Sequence, residues 1–238
     1  MKFKLFILTH LILVIQLSGQ TKNQTAVLSR AEIKELLNAE SLKYFNIEYN
    51  IFKVYTYTDK TGKYFVALTE KTDSIAPNKD TLHYKIKTFN FYQDKNGLVK
   101  KWELNDFTTK QAGSGVMENT ILFCAKYCEF EDIDKDGIVD PILVYGTSGM
   151  NGRDDGRIKI IVYYKGQKNV IRHQNGVIDF ERNTQVDETF YALPQTIQNQ
   201  VKASMQKMMD NSHAIFPYGW QDAMKKGKTK FQEKQSGY

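Results

Sequence analysis

Two tetrapeptides, DKTG at 59–62 and DKNG at 94–97, each stand between stretches in which apolar and polar residues alternate. NIEYNIFKVYTYT leads into the first and KYFVALTEKT leaves it, while TLHYKIKTFNFYQ and LVKKWELNDF flank the second. Period-two alternation sends successive side chains to opposite faces, and a short Asp- and Gly-containing turn between two such runs brings the chain back antiparallel. The pattern predicts an antiparallel meander with one face buried and one wet. Fourteen tyrosines and fourteen phenylalanines against four prolines suit twisted sheet.

The period changes near both ends. In LSRAEIKELLNAE, Ser29 and Glu32 have capping-box spacing ahead of Ile33, Leu36 and Leu37, which predicts a short helix. In LPQTIQNQVKASMQKMMDN, Pro194 precedes Ile197, Val201, Met205 and Met208, which predicts an amphipathic helix packed on the sheet. A GSG linker at 113–115 marks a possible seam, after which 119–131, PILVYGT, RIKIIVYY and VIRHQN supply further strands. The expectation is one α+β domain over 20–224, with roughly eight mostly antiparallel strands and a helix near each end.

Outside that domain the ends carry the charge. Lys2 and Lys4, the apolar run Leu5–Leu17 and the small residues Ser18 and Gly19 have the order of a secretory signal peptide, with cleavage expected near Gly19–Gln20. The run is too short for a comfortable membrane span, which takes about 20 residues, and no later segment could span a bilayer. Residues 225–238 hold five lysines and one glutamate and are expected to form a basic, flexible tail. With both ends set aside, the formal charge of +6 falls to zero over 20–224. A nucleic-acid binder would instead carry its basic charge on a folded face.

The densest chemistry lies in EFEDIDKDGIVDPILVYG, residues 129–146. Counted from Asp132 it reads D-x-D-x-D-G-x-x-D, with carboxylates at Asp132, Asp134, Asp136 and Asp140, a glycine at the sixth place and the Ile138 carbonyl at the seventh. Carboxylates converging on a curling loop repel one another unless a cation joins them. Calcium takes six to eight oxygens from such a mixture. The expected ligands are therefore Asp132, Asp134, Asp136, Ile138 and Asp140, and the expected cofactor is Ca2+. The loop is not an EF-hand: its twelfth position is Leu143, where a bidentate Glu belongs, and its flanks read as strands. It resembles the calcium-binding hairpin loops of FG-GAP and integrin-type propeller repeats. That resemblance covers 130–145, and the propeller fold does not carry over to a chain with one such loop.

A longer stretch, FEDIDKDGIVDPILVYGTSGMNGRDDGRIKI through VIRHQN and VIDFERNTQVD to HAIFPYGW, resembles a family of exported Bacteroidota proteins described as surface polysaccharide biosynthesis proteins. The likeness spans 120–220. It implies a cell-envelope setting and supplies no catalytic residues.

Other candidates are weaker in kind. GTSGM lacks the second glycine of a nucleophile elbow, so Ser148 reads as a loop serine. Asn151, Arg153, Asp154 and Asp155 in the Gly-rich loop are candidate ligand-binding residues, with Asp154 and Asp155 able to face the metal or a ligand. Asp179 and Glu181 in VIDFER would share one strand face, about 7 Å apart, within the range of an inverting glycosidase pair. Arg182 beside them suggests a surface ion pair instead. His173 and His213 have no metal-ligand spacing, and the aromatics of 215–220 read either as core closure or as a sugar-stacking platform. Cys124 and Cys128 can be bridged only if the chain turns between them.

Three function classes follow: a non-enzymatic envelope protein that binds a glycan or a partner protein, a carbohydrate-active enzyme using paired carboxylates, and a periplasmic inhibitor or immunity protein. An exposed aromatic cleft favours the first, buried paired acids in a pocket the second, and a protruding convex loop the third.

Overall fold

A computed structural model describes residues 24–76, 79–109 and 117–233. The expected leader at 1–19 and the seam at 113–115 lie outside the described residues. The first sheet contains β1 (Gln24–Val27), β2 (Asn50–Asp59), β3 (Gly62–Ile75), β4 (Thr81–Asp94) and β5 (Gly97–Phe107), in that order. The second contains β6 (Thr120–Phe123), β7 (Glu129–Glu131), β8 (Asp140–Ser148), β9 (Arg157–Tyr164), β10 (Gln167–Gln174), β11 (Asn183–Val186) and β12 (Lys230–Gln232). Its order is 12-11-10-9-8-6, with β7 also pairing with β8. Every pairing is antiparallel. The described residues also hold four α-helices, α1 (Arg30–Leu36), α2 (Ala39–Tyr44), α3 (Gln195–Asp210) and α4 (Trp220–Lys225), and four short 3₁₀ turns.

The chain is therefore α+β, with twelve described strands in place of the roughly eight expected. The additional strands are short, three or four residues each. Both D-K-x-G turns close hairpins, with Asp59 opposite Gly62 and Asp94 opposite Gly97. The Ser29–Glu32 capping box forms, but α1 stops at Leu36 and Asn38 caps a second short helix.

The two sheets face each other. Tyr55, Val66, Leu68 and Ile86 of the first meet Phe130, Leu143, Tyr145 and Ile161 of the second. Their alternates point away into helix-covered layers. Phe65, Ala67, Phe89 and Phe91 pack with Leu37 and Ile47 around α1 and α2. Ile142, Val144, Ile160 and Val162 pack under α3 and α4. Residues from β3, β8 and β9 thus enter a core on each side, which is why PILVY and IKIIVYY read as continuous apolar runs. The expected wet face is helix-covered where these cores form. Ile197, Val201, Met205 and Met208 of α3 are all buried, each contributing about 2 kcal/mol of transfer free energy.

Two local expectations are corrected. Asp179–Glu181 is a 3₁₀ turn, not a strand, because Val177, Ile178 and Phe180 find no sheet to bury them and remain exposed. Part of the stretch expected to be a loose tail is ordered: Lys230–Gln232 pairs with β11, and Phe231 packs on the helix-covered core. Among the described residues, no helix is long and apolar enough to cross a membrane.

Candidate metal centre

The acidic loop is the connection between β7 and β8, whose last pair is Glu131 opposite Asp140. Both flanks are anchored in apolar surroundings. Phe130 is buried against the Tyr55 ring, centroids 4.5 Å apart, and Ile142 and Val144 are fully buried. Between these anchors the backbone coils through two left-handed residues, Lys135 at φ 64 and Gly137 at φ 89. A side chain at 137 would also bring its Cβ to 2.9 Å from the Lys60 Cδ. Conformation and space both call for glycine there.

The coil turns its acids onto its own amides. Gly137 N donates to Asp132 Oδ2 at 3.0 Å, Asp136 N to Asp134 Oδ1 at 3.2 Å and Ile138 N to Asp136 Oδ1 at 2.9 Å. Asp132, Asp134 and Asp136 each present a carboxylate oxygen, and these oxygens lie within 4.8 Å of one another. At that separation each like-charge pair costs about 3 kcal/mol at an effective dielectric of ~20. Tyr164 Oη donates to Asp134 Oδ2 at 3.1 Å, and Lys165 Nζ lies 3.1 Å from Asp136 Oδ2. Asp132 Oδ1 is buried and has no hydrogen-bond partner among the described residues. An orphaned, buried carboxylate oxygen beside two further carboxylates fits a hard cation, and this triad can hold a metal ion.

Of the five expected ligands, the structure thus brings three together. Asp140 is buried outside that triad and accepts from Ile133 N at 3.0 Å. Burial pushes its carboxyl up to about 6, with the charges of Asp134 and Asp136 adding to the rise against the Ile133 hydrogen bond. Ile138 is in the loop, its N–H committed to Asp136.

The other sheet holds the loop from outside. At the tip of the β2–β3 hairpin, Lys60 N donates to the Gly137 carbonyl at 3.0 Å, and Lys60 Nζ to the Asp136 carbonyl. Asp59 Oδ2 accepts from Val139 N at 3.1 Å.

The candidate ligand-binding residues lie elsewhere, in the loop between β8 and β9. Asp155 helps to close that loop: its carboxylate accepts from Gly149 N at 3.0 Å and Asn151 N at 2.8 Å, beside the backbone bridge between Gly149 and Gly152. Asn175 Nδ2 donates to the Arg153 carbonyl at 2.7 Å, and Asp154 is exposed. Arg153 also borders a cavity of about 30 Å³ with Cys124, Ser148, Asn175 and His213. This set holds potential nucleophiles, but burial raises the Cys124 thiol above its ordinary value, the reverse of what a thiolate nucleophile needs. His213 Nδ1 is 2.7 Å from Tyr127 Oη. Cys124 and Cys128 are free thiols flanking a 3₁₀ turn.

Asp179 is tied to Arg182 at 2.7 Å. His173 is a buried structural histidine held by Thr184 and Asn175 at 3.0 and 2.8 Å. Phe216 and Trp220 close the core beneath the helices, while Tyr218 is exposed.

One buried ionic group escaped the sequence reading. Arg157 Nε contacts Glu118 Oε1 at 2.5 Å, and its Nη1 is 3.1 Å from Asp106, which also takes Lys159 Nζ at 2.6 Å. Burial works against the Asp106 charge, but Lys159 and Arg157 more than offset it and hold the carboxyl below its usual range. The group fastens β5 to β9, and its partners are too distant in sequence to form a motif.

Comparison of the chain with protein-family models, with curated proteins and with solved structures gives no match.

Proposed function

We propose that this chain is an exported cell-envelope protein, a non-enzymatic binder linked to surface polysaccharide, whose acidic loop is a structural calcium site. The observation that carries the metal assignment is Asp132 Oδ1, buried and without a partner among the described residues where three carboxylates converge. All three come from one continuous turn between core-anchored strands, and Lys60, Lys165 and Tyr164 occupy its rim. Calcium is the chosen ion because a flexible multi-carboxylate loop suits the larger cation, whereas magnesium demands near-ideal octahedral geometry and holds its waters. The basic, apolar, small order of residues 1–19 supports export, and the resemblance over 120–220 supports the envelope setting.

Thermal melting of the purified protein tests the metal site. A chelator is expected to lower Tm, and calcium to restore it more fully than equimolar magnesium. Identical melting with chelator and with calcium would refute the site. Intact mass of the exported form tests the address: the mature chain should begin near Gln20, and retention of residues 1–19 would refute it.

A further inference from the structure

We infer that the cleft between the two sheets beside the acidic loop binds a single neutral sugar ring. This rests on the binding-protein reading and adds a place and a ligand class to it. The cleft has a volume of about 140 Å³. That is below the roughly 300–1,000 Å³ of drug-sized ligand sites, so it admits one ring at a time.

Its lining has two parts. The first is aromatic. Trp102 of β5 and Tyr163 of β9 stack across the gap between the sheets, centroids 4.0 Å apart and planes within 8°. Tyr57 and Tyr64, opposite one another on β2 and β3, stack at 5.0 Å. Rings already fixed by their neighbours lose little side-chain freedom when a ligand arrives. The second part is polar: the Asp59 carboxylate, already accepting from Thr61 and Val139, the two lysines Lys101 and Lys165, and two neutral groups. Asn90 is 1% exposed, yet its amide makes one hydrogen bond among the described residues, a long 3.4 Å contact to Tyr57 Oη. An amide offers two donors and a two-lone-pair acceptor, so a buried one with a single weak partner keeps unspent capacity. The Thr61 hydroxyl donates its proton to Asp59 Oδ1 at 2.5 Å and, 2.8 Å from Tyr64 Oη, adds an acceptor.

A pyranose is the ligand class with a matching division: apolar C–H groups for the aromatic lining and a rim of hydroxyls for the amide and hydroxyl. A phosphate-bearing ligand would want free cations, but of the two lysines in the lining Lys165 is engaged by Asp136 and Lys101 places its Nζ over the Tyr92 ring. Ile138 and Val139 of the acidic loop also line the cleft. A cation that stiffens the loop would therefore stiffen one wall of the site, coupling the two through order and not through metal–sugar contact.

The chain has two tryptophans, Trp102 and the buried Trp220. Trp220 Nε1 has no hydrogen-bond partner among the described residues, so Trp220→Phe removes none there and leaves Trp102 as the sole indole reporter. That variant is titrated, with calcium present, with the neutral trisaccharides of glucose, mannose, galactose and N-acetylglucosamine. At least one is expected to shift Trp102 emission saturably with Kd at or below about 10 mM. Calorimetry with the same sugar should show at least tenfold weaker binding to Trp102→Leu and recovery in Trp102→Phe. No saturable shift with any of the four, or binding unchanged in Trp102→Leu, overturns the inference. Calcium-linked melting of Trp102→Leu is measured alongside. A normal calcium response without sugar binding leaves the metal site standing while the cleft assignment falls. Sugar binding without any calcium response does the reverse.

Discussion

The chain writes D-K-x-G three times, at 59–62, 94–97 and 134–137, and uses it in two ways. The first two copies close tight hairpins, with Asp opposite Gly in the ladder. The third coils into the acidic loop. The tetrapeptide does not decide between these outcomes; what precedes and follows it does. Around 59–62 and 94–97 the alternating strands continue to the turn, so the Asp carboxylate satisfies nearby amides: Thr61 N at 2.7 Å from Asp59, and Lys95 N at 2.7 Å from Asp94. Around 134–137, Asp132 and Asp140 add carboxylates outside the tetrapeptide, and position x is itself Asp136. Left-handed Lys135 then bends the chain so that these acids accept amides from inside the coil. A hairpin tip holds one acid that the backbone can satisfy. The third turn holds more acid than its backbone can satisfy, and one oxygen of Asp132 is left without a partner among the described residues.

The largest effect expected from this contrast is on calcium linkage. At a calcium concentration about 1,000 times Kd, a site absent from the unfolded chain adds about 4 kcal/mol of stability. Asp132→Asn should lose most of that gain, since its amide can still accept from Gly137 N but no longer brings charge. In chelator the sign should reverse, with Asp132→Asn at least as stable as wild type because one like charge has left the cluster. Asp94→Asn should leave the calcium increment untouched. Equal calcium responses in Asp132→Asn and wild type would erase the distinction between the turns.

Acid supplies a second contribution that belongs to neither kind of turn. Burial pushes the His173 imidazole down to about 4, from an ordinary value of 6.5. The folded state therefore resists a proton that the unfolded chain accepts, and stability falls as pH drops from about 6.5 toward 4, by at most about 3 kcal/mol. The decline is expected in wild type and to be absent in His173→Gln, both compared in chelator so that metal release does not enter. Denaturant melts at pH 7 and pH 4.5 measure it. An equal acid decline in the two proteins would assign the loss to carboxylates.

What could be read from the sequence was local. The two hairpins, the Ser29 capping box, the buried stripe of α3 and the glycine at the sixth loop position all depend on residues within a few places of one another. The acidic loop was legible for the same reason: Asp132, Asp134 and Asp136 are near neighbours. Features that depend on sheet pairing were not. Trp102 and Tyr163 meet only because β5 of one sheet faces β9 of the other, and Arg157 joins Glu118 and Asp106 on the same account. Nor could VIDF be told from a strand by pattern alone, since its alternation has no partner face to meet. The sequence offers Asp155 as a ligand group, since its use by Gly149 and Asn151 depends on the loop's closed shape.

Glycine substitutions sharpen the comparison at smaller magnitude. Gly97 sits at φ 123 with open space around it, so Gly97→Ala should cost only backbone strain, about 1 kcal/mol. Gly137→Ala adds contact with the Lys60 side chain and should cost about 2 kcal/mol. Only the second should also weaken calcium binding, because Lys60 and Gly137 hold the loop in shape. Chemical denaturation with and without calcium separates the two costs.

The smallest effect concerns the two hairpin tips themselves, which the tetrapeptide makes look alike. Asp94 accepts from a single exposed amide, that of Lys95, and Asp94→Ala should cost about 0.5 kcal/mol, the low end for one hydrogen bond. Asp59 is buried and accepts from Thr61 N, from the Thr61 hydroxyl and, across the sheets, from Val139 N. Asp59→Ala strands that buried amide and should cost about 1.5 kcal/mol. It should also loosen the C-terminal arm of the acidic loop and so raise the calcium concentration at half-saturation, which Asp94→Ala should not. A double-mutant cycle of Asp59→Ala with Asp132→Asn, read as calcium-dependent stability, should be non-additive. The cycle of Asp94→Ala with Asp132→Asn should be additive. Additivity in both cycles would mean that the first hairpin merely touches the acidic loop and does not help to hold it.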